Sequence, residues 1–215
     1  MPDDAPHQPD RAEEAVRRTV AAYDAIAEDY RARWGETDPL VEAKEALARR
    51  LSSRARVLDV GCGPGRDLAW FAGRGFEAIG LDRSAAMLAA ATRVAPTVRA
   101  DARRIPLRDA CLDAWWASAS LLHLPTDEIG RALAELLRVS RPQAVGFVAV
   151  KEGEGAGLEP VGDTAHARYV RYWSACDLDA ALWTAGWQLD KAWHSADALG
   201  RHPWLSRFVM PRAAG

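Results

Sequence analysis

The sequence predicts an α/β fold, a doubly wound and largely parallel sheet with a helical cap in front of it. Three observations predict it. From Arg56 onward, short β-favouring runs alternate with stretches of helical periodicity. One of those runs, Val57-Leu58-Asp59-Val60, passes directly into Gly61-Cys62-Gly63-Pro64-Gly65, a turn of alternating glycines that opens a helix. Ahead of Arg56, two amphipathic segments follow one another with no strand between them, so they stand outside the alternation.

Each element has a local reason. Val16, Val20, Tyr23, Ile26, Ala27 and Tyr30 recur at three- and four-residue spacing, which predicts a helix over 11–33. Pro39 in a first turn and Asp38 before it predict a second helix to Leu51, with Leu40, Ala43, Leu47 and Leu51 on one face. Strands are expected at 56–60, 76–81, 97–100, 112–117 and 144–150, and helices at 65–74, 84–93 and 126–139. The stretch 151–163 is rich in glycine and acid and reads as a mobile loop. A helix over 174–185, stopped by Gly186, precedes two strands at 187–194 and 204–210, joined by a turn of Gly, His and Pro. The domain plan is a disordered tail at 1–10 and a single domain over 11–215. That domain divides into a cap (11–52), a ligand-binding core (55–150), a flexible loop and substrate segment (151–172) and a C-terminal helix with strands (173–215).

Composition narrows the function. A chain of 215 residues, 49% hydrophobic, suits one domain with a buried core. The net charge of −2 gives no basic field for nucleic acid. No apolar run is long enough to span a bilayer, and Met1 to Asp10 lacks the basic-then-apolar order of a signal peptide. The three cysteines, Cys62, Cys111 and Cys176, are widely separated, with no metal or dithiol spacing. No cluster of Asp, Asn and His has ligand character, so no metal is expected. A reducing cytoplasm, as monomer or homodimer, is the simplest setting. Nine tryptophans fill a core or line a pocket.

The glycine turn is the candidate ligand loop. Glycines let the backbone approach a ligand closely, and a helix starting there aims free N–H groups at it. The spacing Gly61-x-Gly63-x-Gly65, with Arg66 sixth, departs from the G-x-G-x-x-G of dinucleotide sites, and no Gly-Lys-Ser/Thr follows. Asp82 ends the second strand within the interval of roughly 20 residues at which a carboxylate meets ribose hydroxyls. It also suits capping of the helix opened at Ser84. Asp101-Ala102 ends the third strand, where an acid can accept from an adenine amino group. Loop and acids together describe a site for an adenosine without a pyrophosphate.

These residues resemble a family. Val-Leu-Asp-Val-Gly-Cys-Gly-Pro-Gly, Gly-Leu-Asp-Arg-Ser and Arg-Ala-Asp-Ala are similar to motifs of the class I S-adenosylmethionine-dependent methyltransferases, nearest the small-molecule, type 11-like branch. Tyr23-Asp24-Ala25-Ile26-Ala27-Glu28-Asp29-Tyr30 is similar to its cap helix, and the resemblance runs from about Tyr23 to Met210. It implies a Rossmann-like, seven-stranded sheet whose last strand is antiparallel, and S-adenosylmethionine as cofactor. It further implies that Gly61, Cys62, Gly63 and Gly65 form the cofactor loop, with Gly61 and Gly63 under the methionine part. Asp59 would act near the amino group, Asp82 on the ribose, Asp101 and Ala102 at the adenine, and Arg83 over the ring, where an arginine departs from the usual apolar residue. Tyr23 on the cap joins the cofactor set.

On the acceptor side, His123 follows the fourth strand and is a candidate base or positioner, with a purely structural role as the alternative. Tyr30 and Trp34 on the cap, and Arg168 and Tyr169 after the loop, are candidate contacts for an anionic or aromatic acceptor. Core packing or a solvated strand edge is their plainer reading. The expected reaction is methyl transfer to oxygen or nitrogen of a small molecule. Transfer to RNA or protein, and cofactor binding without turnover, are the alternatives.

Overall fold

The computed structural model describes residues 8–34, 38–196 and 203–213. The chain runs α1 (Gln8–Trp34), α2 (Val41–Ala48), β1 (Arg56–Val60), α3 (Arg66–Gly73), β2 (Glu77–Asp82), α4 (Ala85–Ala91), β3 (Thr97–Arg99), β4 (Leu112–Ser118), a 3-10 turn at Leu121–His123, α5 (Ile129–Val139) and β5 (Ser140–Lys151). It continues through β6 (Ala156–Pro160), β7 (Ala167–Arg171), α6 (Ala175–Thr184), β8 (Trp187–Ser195) and β9 (Trp204–Pro211).

One sheet of seven strands has the order β3-β2-β1-β4-β5-β9-β8. β1 pairs in parallel with β2 and β4, and β9 lies antiparallel between β5 and β8. β1 is central because Val57, Leu58 and Val60 are at most 1% exposed, and only a strand covered on both faces can be so continuously apolar. The chain leaves β1 to one side and returns on the other at β4, so the carboxyl ends of β1 and β4 flank a crevice.

Trp115 and Trp116 show how the strand period builds two cores. Side chains alternate across a sheet, so Trp115 joins Trp187, Leu133 and Leu136 on one face, while Trp116 joins Phe71, Phe147 and Phe208 on the other. Trp116 stacks on Phe147 with ring centroids 3.8 Å apart. Trp115 lies opposite Gly146, where a Cβ would come within 2.2 Å of the indole ring. These tryptophans are core, not pocket.

Several boundaries differ from expectation. α1 begins at Gln8, so residues 8–10 are helical; residues 1–7 of the expected tail lie outside the described residues. α2 is shorter than 39–51 and its N-cap, Leu40, has no side-chain cap bond; Asp38 instead accepts from the Leu40 amide at 3.3 Å. α5 starts at Ile129 rather than 126, and β5 at Ser140 rather than 144. The largest correction concerns 151–163. Ala156–Pro160 is a strand, paired antiparallel with Ala167–Arg171 in a separate hairpin. Glycine content argued for a loop, but alternate backbone groups find partners in β7, and Val161 packs on Ala22 and Ile26 of α1. The expected 195–203 turn falls largely outside the described residues.

Candidate functional site

A cavity of about 150 Å³ lies at the carboxyl ends of β1, β2 and β4, roofed by α1. Val60, Gly61, Gly63, Asp82, Ser120 and His123 are on its walls, with Val16, Thr19, Tyr23 and Tyr30 of α1 above. A wider cleft of about 620 Å³ opens at the other end of the strands, around Phe76, Pro96 and Leu107. It holds none of the candidate residues.

The glycine loop is pinned before it meets any ligand. The Gly61 and Cys62 amides donate to the Leu81 carbonyl at 2.7 and 3.0 Å. Gly61, Gly63 and Gly65 have φ of +69, +53 and +96°, the left-handed region that disfavours a side chain. Their surroundings separate their roles. A Cβ at Gly61 would come within 2.4 Å of Ser120 Cβ, whereas at Gly63 it would meet nothing within 4 Å. Gly63 thus faces open space, and Gly61 is the close approach of the loop to the segment after β4. Gly65 stands apart from the other two. It caps α3 from below, where a Cβ would lie 3.1 Å from Ala91 of α4, and it is not among the cavity residues. Cys62 is buried against Gly80 and Leu68, a small apolar filler.

Asp82 joins loop to sheet. Its carboxylate accepts from the Gly63 amide (2.9 Å) and the Ser84 amide (2.9 Å). Burial pushes its carboxyl above the usual range, against the pull of those amides. Ser84 caps α4 through the Met87 amide, as its position predicts, and also donates to Asp24 of α1. Asp59 is 3% exposed, and its Oδ2 has no partner among the described residues. Burial and then the charge of Asp67 raise its carboxyl well above the usual range. Ser120 Oγ is likewise buried without a partner among the described residues.

The Asp101 end of the cavity is more crowded than the motif suggests. Asp101 accepts from Arg83 Nη1 (2.6 Å), from Arg103 Nε and Nη2, and from the Arg103 amide. Arg83 and Arg103 both reach Glu13 of α1, and Arg103 reaches Glu128. Arg83 lines the cavity, but its guanidinium is turned onto carboxylates. Arg103 went unnoticed in the sequence; its signal is that it follows Asp101 at the two-residue spacing of a side chain that caps its own turn.

At the opposite end, Tyr23, His123 and Arg168 form one chain. His123 Nδ1 is 2.6 Å from the Tyr169 carbonyl, which can only accept, so Nδ1 carries the proton. Nε2 therefore accepts from the Tyr23 hydroxyl at 2.9 Å, and that hydroxyl accepts from Arg168 Nη1 at 2.5 Å. Burial, then the nearby Arg168 charge, lower the His123 pKa to about 3, and burial raises that of Tyr23. Thr19 Oγ1 accepts from the Tyr169 amide, tying α1 to the hairpin. Tyr23 thus sits at the His123 end of the cavity; Tyr169 contributes its backbone. Tyr30 packs edge-on to Tyr23 at 5.7 Å. The Trp34 side chain lies outside the described residues. Ala119, at the end of β4, holds φ of +54°, a strained turn that delivers Ser120 beneath Gly61.

Sequence reasoning also missed a buried ion network under the loop. Lys44 of α2, 0% exposed, donates to Asp67 at 2.8 Å and pairs with Asp38 at 2.8 Å. Asp67 also accepts from Arg66 and from the Trp116 indole. Burial pushes the Asp67 carboxyl up, but Arg66 and Lys44 outweigh it and hold it below the usual range. The signal was a lysine beside the apolar stripe Leu40, Ala43, Leu47.

Residues 57–143 match the family model described as "Methyltransferase domain". A malonyl-[acyl-carrier protein] O-methyltransferase from Enterobacter lignolyticus is 41% identical over 106 residues, 47% of this chain and 41% of that one. The methyltransferase GfsG of Streptomyces halstedii is 33% identical over 132 residues, 53% of this chain and 47% of its own. The chain therefore spans less than half the length of these two relatives. Among solved structures, the Burkholderia thailandensis 1,6-didemethyltoxoflavin-N1-methyltransferase, with 1,6-didemethyltoxoflavin and S-adenosylhomocysteine bound, superposes with a TM-score of 0.78 at 22% identity, over 99% of this chain and 94% of that one. At that identity the likeness establishes the fold.

Proposed function

We propose that the chain is a class I S-adenosylmethionine-dependent methyltransferase of the type 11-like branch and that it transfers a methyl group to oxygen or nitrogen of a small molecule. The observation that carries the reading is the cradle at the crevice. Gly63 faces open space beside Asp82, and in β1, just ahead of the loop, a buried Asp59 oxygen has no partner among the described residues. A buried carboxylate oxygen without a donor is costly, and a cofactor ammonium or a water bound to it would supply the donor. The residues therefore fit the family's cofactor, which brings a methyl already activated on a sulfonium sulfur.

This chain's residues then have separable tasks. Asp82 holds the ribose hydroxyls, with the Gly63 and Ser84 amides fixing its orientation. Asp59 acts at the amino group. Ala102 and Asp101, with Arg83, bound the adenine end. Tyr23 and Tyr30 close the roof, which excludes water and aligns the acceptor; such alignment supplies about 7–11 kcal/mol of a barrier. His123 positions Tyr23, since neither of its nitrogens is left to take a proton from an acceptor. The relatives' names support oxygen and nitrogen as acceptor atoms: one is an O-methyltransferase, another an N1-methyltransferase.

The test is incubation with methyl-labelled S-adenosylmethionine and a metabolite extract. Label in a small-molecule fraction, with S-adenosylhomocysteine formed, is the expected result. Label confined to RNA or protein, or none at all with the cofactor bound, would overturn the small-molecule reading.

A further inference from the structure

Asp101 lines the cavity, between Ala100 and Ala102, yet its carboxylate is already spent. A carboxylate offers about four acceptor sites on its two oxygens. Oδ1 accepts from the Arg103 amide at 2.9 Å and from Arg103 Nε at 3.0 Å. Oδ2 accepts from Arg83 Nη1 at 2.6 Å and from Arg103 Nη2 at 2.7 Å. These donors fill the sites that a bound base would need.

The donors are themselves held. Arg103, its side chain 12% exposed, also pairs with Glu13 at 2.7 Å and with Glu128 at 3.0 Å. Arg83 reaches the same Glu13 at 3.2 Å. Turning either guanidinium off Asp101 disturbs a network rather than a single pair. A pair with both partners charged is stronger than a bond from the uncharged amino group of a base. The base therefore has nothing with which to displace these arginines.

Resting on the cofactor reading above, we infer that Asp101 is a positioning residue for Arg83 and Arg103, and that the site takes the cofactor's purine without reading its 6-amino group. This departs from the role that the motif implies for Asp101. The acid instead anchors two cations that reach up to Glu13 of α1. That cluster ties the ends of β2 and β3 to the roof, as Tyr23 and His123 tie it at the other end of the cavity. Arg103, which no motif marks, supplies three of the four donors. Ala100 and Ala102 remain as the uncharged neighbours of the base at this wall. The cavity's shape accepts a purine, and no free acceptor on Asp101 distinguishes one that carries the amino group.

The experiment is calorimetric titration of the full chain with S-adenosylhomocysteine and with its analogue bearing unsubstituted purine, which keeps every ring nitrogen and lacks only the amino group. The two are expected to bind within about 3-fold of each other, whereas a carboxylate accepting from the amino group separates them by about 10-fold or more. Any loss beyond about 3-fold overturns the inference. Arg103→Met frees acceptor sites on Asp101, so a preference of at least about 5-fold for the amino-bearing ligand is expected to appear in that variant; a folded Arg103→Met that binds the two alike overturns the inference as well. The wild-type comparison needs no variant, so a poorly folding Arg103→Met leaves it decisive. Failure of the wild-type chain to bind either ligand would remove the cofactor reading itself, and this inference with it.

Discussion

Asp82 and His123 show how a residue's neighbours fix its chemistry. Asp82 was singled out because a carboxylate ending a strand, a fixed interval after a glycine loop, suits ribose hydroxyls, and in the fold it also accepts from the Ser84 amide. Asp82→Ala should weaken S-adenosylhomocysteine binding in calorimetry by roughly 2–3 kcal/mol, the size of hydrogen bonds to a charged acceptor; unchanged affinity would remove it from the ribose. His123 looked like a candidate base because a free imidazole titrates near neutrality. Its folded pKa of about 3 makes it neutral throughout pH 5–8. Turnover should therefore show no inflection from His123 in that window, and a pH–rate profile of wild type against His123→Gln checks this. Linkage gives a stability prediction of definite sign. The unfolded imidazole takes a proton below about pH 6.5 and the folded one does not, so acid favours the unfolded state. The stability at stake, on the order of 4 kcal/mol, is present above pH 6.5 and lost as pH falls toward 3. Denaturant melts at pH 7 and pH 4.5 should show a smaller pH difference in His123→Phe than in wild type.

At the scale of elements, the glycine loop and the clamp on α1 decide the site's shape. The sequence marks three glycines in the loop, but only their surroundings tell them apart. Gly61→Ala forces a methyl into Ser120 and should lower the melting temperature strongly. Gly63→Ala meets open space, so its fold loses only the roughly 1–2 kcal/mol of a left-handed residue, while the methyl occupies the cofactor's approach and S-adenosylhomocysteine affinity falls far more. A Gly63→Ala protein that binds normally would move the cofactor elsewhere. α1 was legible as an amphipathic cap helix, but the pairs that hold it over the site were not. Among the described residues its ties include Glu13 to Arg83 and Arg103, Thr19 to Tyr169, Tyr23 to His123 and Arg168, Asp24 to Ser84 and Arg33 to Asp163. Each partner is distant in sequence, and periodicity carries no information about such pairs. The hairpin β6–β7 was read as a loop for the same reason, since a strand with few apolar residues is revealed only by the strand it pairs with.

For the molecule as a whole, the buried Lys44–Asp67 pair ties the helical cap to the sheet through Arg66 and Trp116. Lys44→Met leaves Asp67 with Arg66 and the indole, but removes a fully enclosed countercharge. Breaking such a pair costs about 3–5 kcal/mol, and chemical denaturation should report a loss of that order; a loss under about 1 kcal/mol would show that Arg66 alone carries the charge. Alternation of strand and helix, the glycine turn and the acids at successive strand ends were enough to predict a largely parallel sheet and a ligand site at its carboxyl ends, because each follows from local periodicity or from spacing along a single βα unit; the cofactor itself came from the resemblance of those motifs to a family. Tertiary structure alone decided that Gly65 packs on a helix, that Arg83 and Arg103 occupy Asp101 and that both His123 nitrogens are engaged, by Tyr169 and by Tyr23. These depend on groups up to 100 residues apart in sequence meeting in the fold, where burial sets the protonation state and the neighbours set what remains to be bound.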